Sequence, residues 1–127
     1  MGIGELITSS ALTIGPDETL RGAAKAMVNR RVGSCVVQTE DGSPAIITER
    51  DLMQAMAAGA DADTTKVADY MTPSALTASL SWDPIEAAER MQSGGFRHLV
   101  VMSDNGSIAG VLSMRDLMGT LLDQRRA

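Results

Sequence analysis

The sequence predicts an α+β fold in which one β-α-β-β-α motif occurs twice. The first observation is an internal repeat, because residues 8–45 align with 72–109, and residues 46–53 with 111–118. Roughly 17 of the 46 aligned pairs are identical, which is more than chance gives for this composition. The second observation is that both copies show the same order of apolar periodicities and turn signals. The protein is therefore a tandem duplication.

Each copy opens with a short extended segment, at residues 11–14 and 75–78, and continues into an amphipathic helix. In the first copy, the helix is indicated by apolar residues at helical spacing: Leu20, Ala23, Ala24, Met27 and Val28. In the second copy, its start is marked by Asp83 as N-cap, Pro84 in the first turn and Glu86 as partner in a capping box.

A β-hairpin and a second helix complete each copy. Strands are predicted at four stretches: residues 34–38, 45–47, 98–103 and 110–112. The dipeptides Asp41-Gly42 and Asn105-Gly106 lie between apolar runs and are strong hairpin signals. The second helix is predicted to begin near Thr48 or Ser113, and Gly59 to end its first occurrence.

The repeat divides the chain into a first motif at residues 1–60, a linker with a short helix at 61–70, and a second motif at 71–127. A motif of about 60 residues is marginally stable alone and leaves one face of its sheet uncovered. We therefore expect the two motifs to form one compact module around a pseudo-twofold axis, with two equivalent clefts between them.

Composition and charge exclude several classes of function. The net charge of −5 argues against nucleic-acid binding through a basic face. One cysteine and one histidine form neither an internal disulfide nor a four-ligand zinc site. The chain lacks an apolar run of about 18 residues and a basic secretory n-region, so we expect a cytoplasmic protein that does not span a membrane.

The sequence also shows no arrangement of residues typical of catalysis. Neither a nucleophile–base pair, nor a cluster of metal ligands, nor a glycine-rich phosphate loop stands out. We therefore predict that the protein is not an enzyme and requires no cofactor.

Five segments carry a resemblance to a known family. They are Pro16-Asp17-Glu18-Thr19-Leu20, Ile46-Ile47-Thr48-Glu49-Arg50-Asp51-Leu52, Met71-Thr72-Pro73, Arg97-His98-Leu99-Val100-Val101 and Gly110-Val111-Leu112-Ser113-Met114-Arg115-Asp116-Leu117. In these segments the chain resembles the CBS domain family, named for cystathionine β-synthase, in the form of a stand-alone tandem pair. The resemblance covers nearly the whole chain.

The resemblance implies a site for an adenine nucleotide, built from a hydroxyl residue and an aspartate three positions later. Carried over to this sequence, these are Ser113 and Asp116 in the second copy, and Thr48 and Asp51 in the first. The hydroxyl is expected to contact phosphate, and the carboxylate to bind the ribose hydroxyls. A carboxylate accepts two such donors, and a helix N-terminus offers free amides to phosphate.

The same resemblance implies further contacts with the ligand. Adenine is expected to lie against strand residues of either copy, namely Thr13 and Ser34, or Thr77 and His98. The phosphates are expected near basic side chains, namely Arg97, His98, Arg50 and Arg115.

The first copy departs from the family pattern at its hairpin. Ala45 stands where the family usually has glycine, the copy is one residue shorter there, and Pro44 interrupts the turn. Both copies also lack the proline that is common before the valine pair, at Cys35 and Leu99. We therefore expect the first cleft to be reshaped or closed, and the second copy to be the better binder.

Two alternative interpretations stay open. The Thr48–Asp51 and Ser113–Asp116 pairs are also ordinary capping boxes, which need no ligand. The protein is alternatively an interaction or dimerisation module with vestigial sites, because its second helices carry apolar residues that a partner copy would bury: Leu52, Met53, Met56, Leu117, Met118, Leu121 and Leu122.

Our leading prediction is a regulatory module that binds an adenine-containing ligand of the AMP, ADP, ATP or S-adenosylmethionine type and signals to a partner protein. Binding is expected to shift the population between conformations. Mg²⁺ is expected only together with ATP. We predict a homodimer formed through the helices and an unidentified partner protein, but no membrane or nucleic-acid contact.

Overall fold

The structure is a computed structural model that describes residues 2–126. Contacts group the chain into two units. One unit is Leu12–Ala75, and the other joins the N-terminal residues through Ala11 to the segment from Leu76 onward. Each unit has its own three-stranded sheet and its own buried core.

The unit Leu12–Ala75 contains three strands and two helices. They are β1 (Thr13–Ile14), α1 (Leu20–Arg30), β2 (Ser34–Gln38), β3 (Pro44–Thr48) and α2 (Glu49–Ala57). The central strand β2 is parallel to β1 and antiparallel to β3. A parallel pair needs a long crossover, which α1 supplies, whereas a tight turn joins β2 to β3.

The other unit repeats this arrangement. It contains β4 (Thr77–Ser79), α3 (Pro84–Gly94), β5 (His98–Met102), β6 (Ile108–Ser113) and α4 (Met114–Arg126). Its central strand β5 is parallel to β4 and antiparallel to β6. The predicted α+β fold with two β-α-β-β-α motifs is therefore confirmed.

Side-chain alternation along the strands determines which residues enter each core. In the unit Leu12–Ala75, one face of the sheet packs with the apolar stripe of α1, and the buried residues are Cys35, Val37, Ala45, Ile47, Leu20, Ala23 and Met27. The corresponding core of the other unit includes Ala78, Leu99, Val101, Leu112, Ala87, Met91 and Leu117. On the opposite faces, Val36, Ile46 and Val100 are buried as well.

The start of α3 agrees only in part with the sequence prediction. Asp83 is the N-cap, and its Oδ2 accepts hydrogen bonds from the N–H groups of Ile85 at 2.9 Å and Glu86 at 3.3 Å. Pro84 is the first helical residue, as predicted. The predicted capping box is wrong, because the Glu86 carboxylate lies 3.6 Å from Arg90 one turn further along the helix.

The two hairpins turn at the predicted dipeptides but differ in length. Gly42 and Gly106 have φ values of 82° and 86°, in the left-handed region that favours glycine. In the second copy, Val101 pairs with Gly110 while Met102 pairs with Ile108, so Ala109 is an extra residue in a β-bulge. The first copy pairs without interruption, and this bulge is where the predicted one-residue difference lies.

The short segment before each copy packs with the unit of the other copy. The 3-10 helix Ile3–Leu6 is tied to the second copy, since the Ile3 N–H donates to the Trp82 carbonyl at 2.8 Å. The 3-10 helix Val67–Asp69 is tied to the first copy, since the Val67 N–H donates to the Glu18 carbonyl at 2.7 Å. The packed units thus differ from the boundaries 1–60, 61–70 and 71–127, which follow the repeat along the chain.

Within residues 2–126, no helix is both long enough and apolar enough to cross a bilayer.

Candidate functional site

The strand residues of the second copy that were predicted to contact the ligand lie on the face of the β4-β5-β6 sheet that points away from its core. His98 pairs with Ser113 across β5 and β6, and Thr77 pairs with Val100 across β4 and β5. Paired residues project to the same face, and the intervening Leu99 is a core residue. The sheet therefore brings Thr77, His98 and Ser113 to one surface.

The first copy presents its nominated residues in the same way. Ser34 pairs with Thr48 across β2 and β3, and Thr13 pairs with Val36 across β1 and β2. The intervening Cys35 points into the core. Thr13 is exposed, but Ser34 retains only 6% of its surface, so this copy is the more closed of the two at the start of its central strand.

Ser113 and Asp116 form a reciprocal pair at the start of α4. The Ser113 hydroxyl accepts a hydrogen bond from the Asp116 N–H at 3.0 Å, and Asp116 Oδ2 accepts one from the Ser113 N–H at 2.9 Å. Asp116 is exposed, and its Oδ1 accepts no hydrogen bond from the residues that the structure describes. The pair caps the helix and still presents an open carboxylate oxygen to a ligand hydroxyl.

Thr48 and Asp51 form the equivalent capping box at the start of α2, but both oxygens of the Asp51 carboxylate have hydrogen-bond partners in the protein. Asp51 Oδ2 accepts hydrogen bonds from the Thr48 N–H at 2.9 Å and the Thr48 hydroxyl at 3.1 Å. The Thr72 hydroxyl lies 3.3 Å from Oδ1 and 3.4 Å from Oδ2. Asp51 retains only 7% of its surface, so no carboxylate oxygen is openly presented.

The nominated arginines lie beside these boxes. Arg50 and Arg115 occupy the first turns of α2 and α4, and Arg97 immediately precedes β5. All three are exposed, and none forms an ion pair with another residue in the described part of the chain. Their guanidinium groups are therefore available to an anionic ligand.

The predicted interruption of the first hairpin at Pro44 is wrong. Pro44 is the first residue of β3 and pairs with Gln38, at a position where a strand tolerates proline. The neighbouring Ala45 is buried in the core. At the matching position of the second copy, a Cβ on Gly110 would come within 2.8 Å of Ile7 Cγ2, so any larger residue there would force Ile7 to shift.

The sequence did not predict the contact between Thr72 and Asp51. It appears in the sequence only as part of Met71-Thr72-Pro73, a segment 21 residues after Asp51. The repeat offered one signal, since Thr72 aligns with Thr8 in the other copy. Only the tertiary structure shows that its hydroxyl reaches an aspartate.

The family model for the CBS domain matches this chain twice, over residues 3–58 and residues 67–123. The two matched segments correspond to the two copies of the repeat.

Two solved structures are similar over almost the whole chain. A CBS domain protein from Pyrobaculum aerophilum, complexed with AMP, is 31% identical, with 100% of both chains covered and a TM-score of 0.86. A CBS-domain containing protein from Agrobacterium tumefaciens is 30% identical, with 94% of this chain and 98% of that chain covered and a TM-score of 0.85.

Relatives known from sequence include both small proteins and parts of enzymes. A 17.7 kDa protein from Acidianus ambivalens is 34% identical over 122 residues, or 95% of this chain and 73% of the relative. Inosine-5′-monophosphate dehydrogenase from Methanocaldococcus jannaschii is 29% identical over 115 residues, or 90% of this chain but 22% of the enzyme. With both repeats matched and two such structural relatives, the chain belongs to the CBS domain family and is a tandem pair of CBS motifs.

Proposed function

We propose that this chain is a regulatory module that binds an adenine nucleotide through its second copy and signals to a partner protein. The observation that carries the proposal is the Ser113–Asp116 pair, in which the carboxylate is exposed and retains an open oxygen. A nucleotide ribose supplies the hydroxyl donors that such a carboxylate accepts.

The surrounding residues suit the rest of a nucleotide. The α4 N-terminus and the Ser113 hydroxyl offer donors to phosphate. Arg97 and Arg115 supply positive charge, which matters because the chain as a whole carries a net charge of −5. Thr77 and His98 lie on the sheet face shared with Ser113, and we assign them to the adenine or the adjoining phosphate.

The relative from Pyrobaculum aerophilum supports the ligand class, since its structure contains AMP and matches all of this chain. We propose AMP, ADP, ATP or S-adenosylmethionine as ligands, with Mg²⁺ accompanying ATP alone. The equivalent first-copy residues are Thr13, Ser34, Thr48, Arg50 and Asp51, and we rank them as the weaker site. We further propose that the protein acts in the cytoplasm without catalysis of its own and without a resident cofactor.

The test is calorimetric titration with AMP, ADP, ATP and S-adenosylmethionine, with GMP as the comparison ligand. We expect a saturable signal that Asp116→Ala reduces at least tenfold, because the ribose loses a charged acceptor. Asp123→Ala removes the same charge from an exposed position further along α4 and should leave binding unchanged. Equal affinity in wild type and Asp116→Ala would remove the ribose role.

A second function is favoured by a different observation. Helices α2 and α4 expose large apolar side chains, namely Met53 at 64%, Met56 at 80%, Met118 at 50% and Leu122 at 43%. These residues suit a homodimer interface, whereas the predicted interface residue Leu117 is fully buried in its own unit. A stable dimer that gives no heat with any nucleotide would support a dimerisation module with vestigial sites.

A further inference from the structure

We propose that Thr72 occupies the position of a ligand hydroxyl on Asp51 and thereby keeps the first copy closed to nucleotides. This inference rests on the proposed function, since it explains which of the two copies takes the ligand. It makes the protein a one-nucleotide module although the binding pair occurs twice.

The first argument is the number of donors on each aspartate. Asp51 accepts hydrogen bonds from the Thr48 N–H, the Thr48 hydroxyl and the Thr72 hydroxyl, at 2.9 to 3.4 Å. Among the residues that the structure describes, the Asp116 carboxylate accepts one hydrogen bond, from the Ser113 N–H at 2.9 Å. The two protein hydroxyls on Asp51 match in kind and number the two hydroxyls of a ribose, so the donors that a nucleotide would bring are already present.

The second argument is that the backbone fixes Thr72 in place. The Thr72 N–H donates to the Ile46 carbonyl at 2.8 Å, and the Ile46 N–H donates to the Thr72 carbonyl at 3.0 Å. This two-bond bridge continues the edge of β3, the strand that ends at Thr48. Thr72 is therefore held as an added edge residue beside the box, and its hydroxyl does not reach Asp51 by chance rotation of a loop.

The third argument is the contrast with Thr8, the repeat counterpart of Thr72. Thr8 is exposed, and within residues 2–126 it forms neither a bridge to β6 nor a hydrogen bond to Asp116. In that unit the preceding residue, Ile7, lies against Gly110 instead. At the same repeat position, the threonine hydroxyl thus occupies the aspartate in the first copy and leaves the aspartate accessible in the second.

The energetic consequence follows from burial. A ligand hydroxyl that approaches Asp51 Oδ1 competes with the Thr72 hydroxyl, and the Asp51 residue retains only 7% of its surface exposed. The displaced donor would then need a new partner, which offsets the gain from the ligand bond. Replacing Thr72 by valine keeps the side-chain shape, removes the competing donor and leaves Asp51 with acceptor capacity for a ribose.

The experiment counts AMP sites by calorimetry in wild type, Thr72→Val and Thr8→Val. We expect one site per chain in wild type and in Thr8→Val, and two in Thr72→Val, because removal of the Thr72 hydroxyl frees acceptor capacity on Asp51. Thr72→Ser retains the hydroxyl and should remain at one site. Circular dichroism and thermal unfolding establish that each variant is folded, and Thr72→Ala replaces the valine variant if that one is not.

Two backgrounds separate this inference from the proposed function. In Asp116→Ala the only site of the wild type should disappear, and adding Thr72→Val should restore one site, which Asp51→Ala should remove again. Two sites in wild type, or no gain of a site in Thr72→Val, would overturn the proposal that Thr72 keeps the first copy closed to nucleotides. Wild-type binding that is insensitive to Asp116→Ala would overturn the proposed function instead, whatever the Thr72 variants show.

Discussion

The Cys35 thiol is fully buried in the core between β2 and α1. Burial raises the pKa of this thiol to about 11, because the interior disfavours the thiolate. The thiolate is the nucleophile, so native protein at about pH 8 should react with a disulfide reagent at least about a hundred times more slowly than protein unfolded in guanidinium. Equal rates would show that Cys35 is accessible in the native state.

The same shift predicts a pH dependence of stability. The folded-state pKa lies above the ordinary thiol pKa of 9.0, so the contribution of the neutral thiol is complete below pH 9.0 and is lost as pH rises toward about 11. The free energy of unfolding should fall over this window by about 2–3 kcal/mol more in wild type than in Cys35→Ala. Parallel curves for the two proteins would contradict the shift, since all other titrating groups are common to both.

Single side chains also show where sequence-based prediction succeeded and failed. The boxes Thr48–Asp51 and Ser113–Asp116 were predictable because both partners lie within one helical turn. The Thr72 contact was not, because a hydrogen bond over 21 residues depends on how the chain returns to β3. The capping box predicted for Glu86 does not form for a local reason, since Arg90 competes for the Glu86 carboxylate.

Among the secondary-structure elements, β6 packs closely with the N-terminal segment at Gly110. A Cβ on Gly110 would lie 2.8 Å from Ile7 Cγ2 and 2.9 Å from Ile7 Cδ1. We therefore expect Gly110→Ala to lower the free energy of unfolding by about 1–3 kcal/mol, measured by urea denaturation, because the added methyl group overpacks the site.

Two variants test whether Ile7 is the cause. In the Ile7→Ala background, Gly110→Ala should not lower the free energy of unfolding any further, because the side chain that clashes with the added methyl group is gone. Gly15→Ala is the matched control, since nothing lies within 4 Å of its added Cβ, and it should change stability by less than about 0.5 kcal/mol. If Gly15→Ala lowered the free energy of unfolding as much as Gly110→Ala, the cause would be restriction of the backbone and not packing against Ile7.

The order of the elements was predictable because the repeat gave two independent readings of each one. Helices with clear start signals, such as α3 after Asp83, and turns at Gly42 and Gly106 were predicted close to their observed positions. The packing of Ile3–Leu6 with the second copy was not predictable, because that segment precedes the first copy along the chain. Its Ile3 side chain is fully buried by residues that lie far away in sequence.

For the chain as a whole, the exposed methionines lead to a prediction about self-association. Met56 and Met118 expose 80% and 50% of their surfaces, on helices α2 and α4. If these side chains form the homodimer interface, burying a carboxylate there is costly, so Met56→Glu and Met118→Glu should each weaken the dimer at least about tenfold in sedimentation equilibrium. Val28→Glu, at a residue 74% exposed on α1, is the matched control and should leave the dimer unchanged. A monomeric wild type would rule out the dimer, and loss of the dimer in Val28→Glu alone would place the interface on α1.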